Sequence, residues 1–261
     1  MTMAGQPFLE VDGVTLQYKT KEHLVTAAYR VSFRAMQAER LILLGPSGCG
    51  KSSLLKAVGG FLKPVEGQII LSGRQVRKPG PDRAVVFQEF DQLLLWKTVL
   101  QNVSFALQEG RKLPKREAEE QAMHYIQKVN LTKFADAYPY TLSGGMKQRV
   151  AIARCLALNA ELILMDEPFG ALDALTRQKM QEELLELWQE SHFTMIFVTH
   201  SIEEAILLGT RIVLLSPHPG QVRAELNVDL NDLQQTEDGA YRHLYERIQR
   251  ILFQDALEYT I

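Results

Sequence analysis

Leu41-Ile42-Leu43-Leu44-Gly45-Pro46-Ser47-Gly48-Cys49-Gly50-Lys51-Ser52 runs from a fully apolar segment into a glycine-rich turn, and the residues after it, Ser53 to Val58, read as helix. An apolar run that ends in glycine suits a buried strand. Gly45 to Ser52 satisfies G-x-x-x-x-G-K-[ST], and it stands between strand and helix, the context that pattern requires. The glycines let backbone N–H groups turn inward around phosphate oxygens, while the helix that follows presents its positive N-terminal end to the same anion. Lys51 is then expected to reach the outer phosphates of a nucleotide and Ser52 to ligate Mg²⁺. With glycine at roughly 7% of residues, the pattern arises by chance in about one such chain in a hundred, so a mere glycine turn entering a helix is the weaker reading.

Working outward, short segments rich in β-branched or aromatic residues predict strands at Phe8–Leu16, Ala28–Phe33, Gly67–Leu71 and Ala84–Phe87. From about Asp91 the chain turns helical, and Ala118, Ala122, Ile126 and Val129 recur at helical spacing between Lys115 and Asn130, as in a separate helical lobe. Alternation then resumes: strand Leu162–Met165, helix Thr176–Gln189, strand Met195–Val198, helix Ile202–Leu208 and strand Arg211–Leu215. Such βαβ alternation implies a parallel sheet covered by helices. After Pro217 the sequence is polar until Tyr241, where Leu244, Tyr245, Ile248, Ile251 and Leu252 mark an amphipathic helix. Leu93-Leu94-Leu95-Trp96 is too apolar to lie wholly in solvent and belongs either to an attachment surface or to the core of the helical lobe.

Composition narrows the function classes. Across 261 residues, 46% hydrophobic and 23% charged residues match globular usage, and a net charge of −2 supplies no basic face for nucleic acid or anionic lipid. Two cysteines, Cys49 and Cys155, form neither a metal-ligand spacing nor a disulfide framework and suit a reducing cytoplasm. Met1 to Gly13 lacks the pattern of a signal peptide, and no run approaches the ~18 apolar residues of a membrane span, so service to a membrane is expected to be peripheral.

A second candidate anion site opens at Leu142-Ser143-Gly144-Gly145-Met146-Lys147-Gln148-Arg149, ahead of the helically spaced Val150, Ala153, Leu156 and Ala157. Ser143 is a good N-cap, so an ordinary helix start is the plain alternative. Two glycines inside a helix start cost roughly 1 kcal/mol each relative to alanine, which a need for close backbone approach would explain. With the phosphate loop upstream and an acidic strand end downstream, this segment resembles the signature motif of ABC ATPases. That resemblance spans about residues 8 to 216, with the motifs in the family's order. It departs at Met146, where the family most often has glutamine.

The resemblance carries further residues. Leu162 to Met165 followed by Asp166 and Glu167 resembles the Walker B strand, implying that Asp166 holds the Mg²⁺ shell and Glu167 orients and deprotonates the attacking water. Gln88 resembles the Q-loop glutamine, a further Mg²⁺ contact, and His200 the switch histidine that meets the γ-phosphate; the other five histidines have no comparable placement. Gly170-Ala171-Leu172-Asp173 resembles the D-loop, with Asp173 at the dimer interface. Tyr18 stands where the family has an aromatic platform for adenine, where stacking is worth ~1–3 kcal/mol per base. The implied nucleotide contacts are Tyr18, Gly45, Pro46, Ser47, Gly48, Cys49, Gly50, Lys51, Ser52, Ser53, Gln88, Ser143, Gly144, Gly145 and Asp173.

The expected fold is α/β: a P-loop NTPase core with a parallel sheet, an N-terminal antiparallel β subdomain and an inserted α-helical subdomain. Residues 1–90 and 159–220 would form the core with its β subdomain, 91–158 the helical subdomain, and 221–261 a tail with the amphipathic helix. The resemblance implies an ATP-hydrolysing subunit with Mg²⁺ on the cytoplasmic side of the cell membrane. It would pair with a second, identical ATPase chain, drive separate transmembrane permease subunits and work with a solute-binding protein. The segments Gln88–Trp96 and Asp166–Asp173 look like the nitrate, sulfonate and taurine branch of importers. Two rivals are a soluble ABC protein clamping nucleic acid or ribosomes and a P-loop kinase. Against the first stand the charge balance and the lack of long coiled coils or a second cassette; against the second, the signature motif and Glu167.

Overall fold

Alternation of β-branched and polar residues shapes the N-terminal strands, and unbroken apolar runs shape those that follow. The computed structural model describes residues 7–19, 23–88, 92–228 and 239–253. In chain order the elements are β1 (Leu9–Lys19), β2 (Leu24–Ala35), β3 (Arg40–Leu44), α1 (Lys51–Val58), β4 (Glu66–Leu71), β5 (Arg74–Gln75), β6 (Arg83–Val86), α2 (Val99–Arg111), α3 (Lys115–Lys128), α4 (Gly144–Leu158), β7 (Leu162–Asp166), α5 (Ala174–Ser191), β8 (Thr194–Thr199), α6 (Ile202–Leu208), β9 (Arg211–Leu215), β10 (Val222–Asn227) and α7 (Gly239–Phe253). The chain forms two compact units, one of residues 1–79 and 194–261 and the other of residues 80–193.

In the first unit β2, β1, β4 and β5 form an antiparallel sheet in that order. Leu9, Val11, Val14 and Leu16 are buried, and the register slips where Gly13 takes a left-handed φ of 58°. β3 pairs in parallel with both β8 and β9. Every residue of β3 and β8 is buried, the signature of a parallel strand covered on both faces. Helix α1 packs on β8, α6 on β3, and α7 on α6 and β9.

In the second unit β6 and β7 pair in parallel with Val86 opposite Met165. Between them in sequence stand α2, α3 and α4, which pack on one another, and α4 also meets β6 and α5. The fold is thus α/β with parallel strands, an N-terminal antiparallel sheet and an inserted helical region. Among the described residues no helix is long and apolar enough to cross a membrane.

Three expectations change. The polar stretch after Pro217 contains β10, antiparallel to β9; Val222, Ala224 and Leu226 alternate with Arg223 and Glu225, as on an edge strand with one wet face. Residues 229–238 of that stretch, and 254–261 of the tail, lie outside the described residues. Asp91, where the chain was expected to turn helical, lies outside the described residues, and the first α-helix described after it is α2 at Val99, where Thr98 and Gln101 form a reciprocal capping box. Leu93-Leu94-Leu95-Trp96 divides between its two readings: Leu93 is buried, whereas Leu95 is 47% and Trp96 73% exposed.

Candidate active site

Parallel strands deliver their following residues to one edge of the sheet, and in the first unit that edge carries the phosphate loop. Leu44 lies level with Thr199 and with Leu214, so Gly45, which follows β3, and His200, which follows β8, leave neighbouring strands at the same end. The loop is closed in by its own chain. Gly50 has φ 90°, and a Cβ there would fall 2.3 Å from the Ala27 carbonyl oxygen. Gly48 also has a left-handed φ of 79°. On another side, a Cβ on Gly220 would come within 2.0 Å of the Cys49 oxygen. Gly220 is itself fixed, its N–H donating to Ala27 O (3.1 Å) and its oxygen accepting from Tyr29 N (2.9 Å).

Lys51 is buried, and its Nζ donates to Gly45 O at 2.8 Å and Pro46 O at 2.9 Å, which folds it inside the loop. No side chain caps α1, and no acidic residue occupies its first turn, an arrangement that suits a helix start to binding an anion. Burial pushes the Cys49 thiol up, and Lys51 draws it part of the way back. Tyr18 is 38% exposed, and its hydroxyl donates to Ser53 Oγ at 2.9 Å, which ties the expected adenine platform to the first turn of α1. His200 is exposed between two fixed neighbours: Thr199 Oγ1 accepts from Ser201 N and donates to Glu204, and Ser201 Oγ caps α6.

The second unit holds the acidic residues. Asp166 ends β7 buried, and Glu167 follows with φ 43°, a left-handed conformation rare outside glycine and concentrated at functional sites. Gln88 converges on it: a Cβ built on Gly170 would lie 3.5 Å from Gln88 Nε2 and 3.8 Å from Glu167 Oε2. Arg177 reaches back from α5 to Phe169 O (3.3 Å) and Leu172 O (2.8 Å), pinning the turn that follows Glu167. Asp173 caps α5 through Thr176 N at 3.0 Å, and those Thr176 hydrogen bonds hold its carboxyl below the usual range.

The signature segment lies against that same helix. Ser143 is exposed and caps α4, its Oγ accepting from Met146 N at 3.3 Å, as the plain helix-start reading expects. Gly144 and Gly145 open the helix, and a Cβ on Gly145 would stand 2.8 Å from Thr176 Cγ2, so close packing on α5 accounts for the second glycine. Arg149 pairs with Glu183 of α5 at 2.7 Å. The signature tip and the Asp173 cap are thereby neighbours. Cys155, deep in α4, has its thiol pushed up to about 12 by burial.

Among the described residues no three His, Cys, Asp or Glu side chains cluster as a metal cage. The carboxylates at the end of β7, Asp166 buried and Glu167 beside it, are of the kind Mg²⁺ takes, one or two together with substrate phosphates and water. Sequence reasoning did not single out Gly220, Gln92, Asn102, Arg154 or Arg177. Proline before Gly220 was a turn signal; the polar residues bond main-chain atoms, for which no side-chain periodicity exists.

A strand, a glycine loop and a helix with a buried lysine, in an α/β frame with acidic residues at a strand end, define a P-loop nucleotide-binding protein. A family model described as ABC transporter matches residues 29–170, more than half of the chain. The taurine import ATP-binding protein TauB of Rhizobium johnstonii is 48% identical over 222 residues, covering 85% of this chain and 84% of that one. Nitrate transport protein NasD of Klebsiella oxytoca is 38% identical over 256 residues, 95% and 97% of the two chains. A solved dimer of the ATP-binding cassette MJ0796 in a post-hydrolysis state, bound to ADP and Pi, has a TM-score of 0.74 at 31% identity and covers 85% of this chain and 99% of its own. The chain belongs to the ABC transporter family.

Proposed function

We propose that the chain is the ATP-hydrolysing subunit of an importer for a small anionic or zwitterionic solute of the nitrate, sulfonate or taurine kind. The observation that carries this reading is the convergence of Gln88 and Glu167 around Gly170 in a chain that also has the phosphate loop and an exposed Ser143 helix tip. The names of the taurine and nitrate relatives support import and the class of cargo. Neither they nor the net charge favour a clamp on nucleic acid or ribosomes.

In this mechanism the loop from Gly45 to Ser52 and the start of α1 hold the triphosphate, with Lys51 leaving its carbonyl partners for phosphate oxygens. Tyr18 stacks on adenine, and Ser53 stays bonded to it. Ser52, Asp166 and Gln88 would hold Mg²⁺, which supplies charge neutralisation at the phosphates. Glu167 accepts a proton from water as its oxygen bonds to the γ-phosphorus; the bond to the β–γ bridging oxygen breaks, giving ADP and inorganic phosphate. His200 contacts the γ-phosphoryl group. Ser143, Gly144 and Gly145 close on the nucleotide of a second copy, and Asp173 meets that copy beside them. In these terms residues 1–90 and 159–220 act as the nucleotide-binding core, 91–158 as the helical lobe and 221–261 as a tail.

Permease subunits engage the exposed Leu95 and Trp96 from the membrane, a solute-binding protein delivers cargo on the other side, and this chain sits peripherally on the cytoplasmic face. Glu167→Gln tests the reading: turnover falls by about 100- to 10,000-fold while ATP binding persists. Ordinary turnover in that variant removes Glu167 from the base role.

A further inference from the structure

Gln92 and Arg154 form a part-buried polar link that none of the roles above uses. Gln92 folds its amide back on Phe87, with Oε1 accepting from Phe87 N at 3.1 Å and Nε2 donating to Phe87 O at 3.0 Å. The two ends of the stretch that carries Gln88 are thereby stapled together. Arg154, two turns and more into α4, donates from Nη1 to Gln92 O at 2.6 Å. A guanidinium offers its donors in a fixed plane, so this contact sets direction as well as distance. Beyond Gln92, the fully buried Asn102 holds the next turn: its Oδ1 accepts from Leu94 N at 2.8 Å, and its Nδ2 lies 3.0 Å from the carbonyls of Leu94, Lys97 and Thr98. Exposed Leu95 and Trp96 are carried on that turn.

We propose that Arg154 is a positioning residue which, through Gln92, fixes Gln88 to the signature helix and so holds its amide in place around Gly170 with Glu167. The inference rests on the role given to Gln88 in the proposed function. A misplacement of about 1 Å at a reacting group can cost on the order of 100-fold in rate, whereas the phosphate loop, built in the other unit, keeps its geometry. Loss of the link therefore lowers kcat and spares the KM for ATP.

The test is a double-mutant cycle on the full chain, measuring kcat and KM for ATP in Arg154→Met, Gln88→Ala and the pair; non-additivity reports that two residues act as one unit. The expected result is a fall in kcat of about 10- to 100-fold for Arg154→Met with KM unchanged, no further fall when it is added to Gln88→Ala, and partial recovery in Arg154→Lys. Normal kcat in Arg154→Met overturns the inference alone. So does an equal loss in the Gln88→Ala background, which marks a general structural defect. If Gln88→Ala by itself leaves kcat intact, both the inference and the role given to Gln88 fall. Should Arg154→Met not fold, Gln92→Met takes its place in the same cycle with the same outcomes.

Discussion

Two glycine-marked helix starts in this molecule are built in different ways. The start of α1 has no side-chain cap and is walled in by the backbone of Ala27 and Gly220, with Lys51 buried beside it. The start of α4 is capped by its own Ser143, which is exposed, while Gly145 behind it is packed tightly on α5. An uncapped helix start in a closed cradle is built to hold a phosphate within one chain. A self-capped, open tip lacks the walls to do so alone, and in the proposed function a second copy supplies them.

Substitutions at the two ends should therefore separate. Ser143→Arg puts bulk and charge on the open tip; ATP turnover and ATP-driven pairing are expected to fall by about 100-fold or more, while a fluorescent nucleotide binds the monomer as before. Equal loss of monomer binding would erase the distinction. Gly220→Ala drives a Cβ into the Cys49 carbonyl, and overpacking of that kind costs about 1–3 kcal/mol. Affinity for nucleotide and melting temperature should drop together, with pairing impaired only through affinity. Tyr18→Phe keeps the ring and removes the hydroxyl bonded to Ser53, worth about 0.5–1.5 kcal/mol, so the Kd for ATP should rise by a few-fold at most. A larger loss would show the hydroxyl, not the ring, to be the important group.

Much of the closed end was legible in the sequence because its determinants are local: an apolar run, three glycines and a lysine at set spacings. The acidic strand end was legible for the same reason, Leu162 to Glu167 being contiguous. Gly220 was not, since its effect depends on Cys49 meeting it across the fold. β10 escaped because an edge strand needs only alternate apolar residues, and Arg223 and Glu225 make the stretch read as polar. The start of α2 carried a signal, Thr98 with Gln101 three residues on, that apolar periodicity does not detect. The Gln92, Asn102 and Arg154 bonds end on main-chain atoms, which every residue possesses, and so leave no mark in the pattern of side chains.

The most direct test is the structure of the Glu167→Gln chain loaded with ATP and Mg²⁺. Two copies are expected with the Ser143-Gly144-Gly145 tip of each against the triphosphate held by the Gly45–Ser52 loop of the other. A nucleotide-loaded chain in which those two elements never meet, in any assembly it forms, would contradict the shared site.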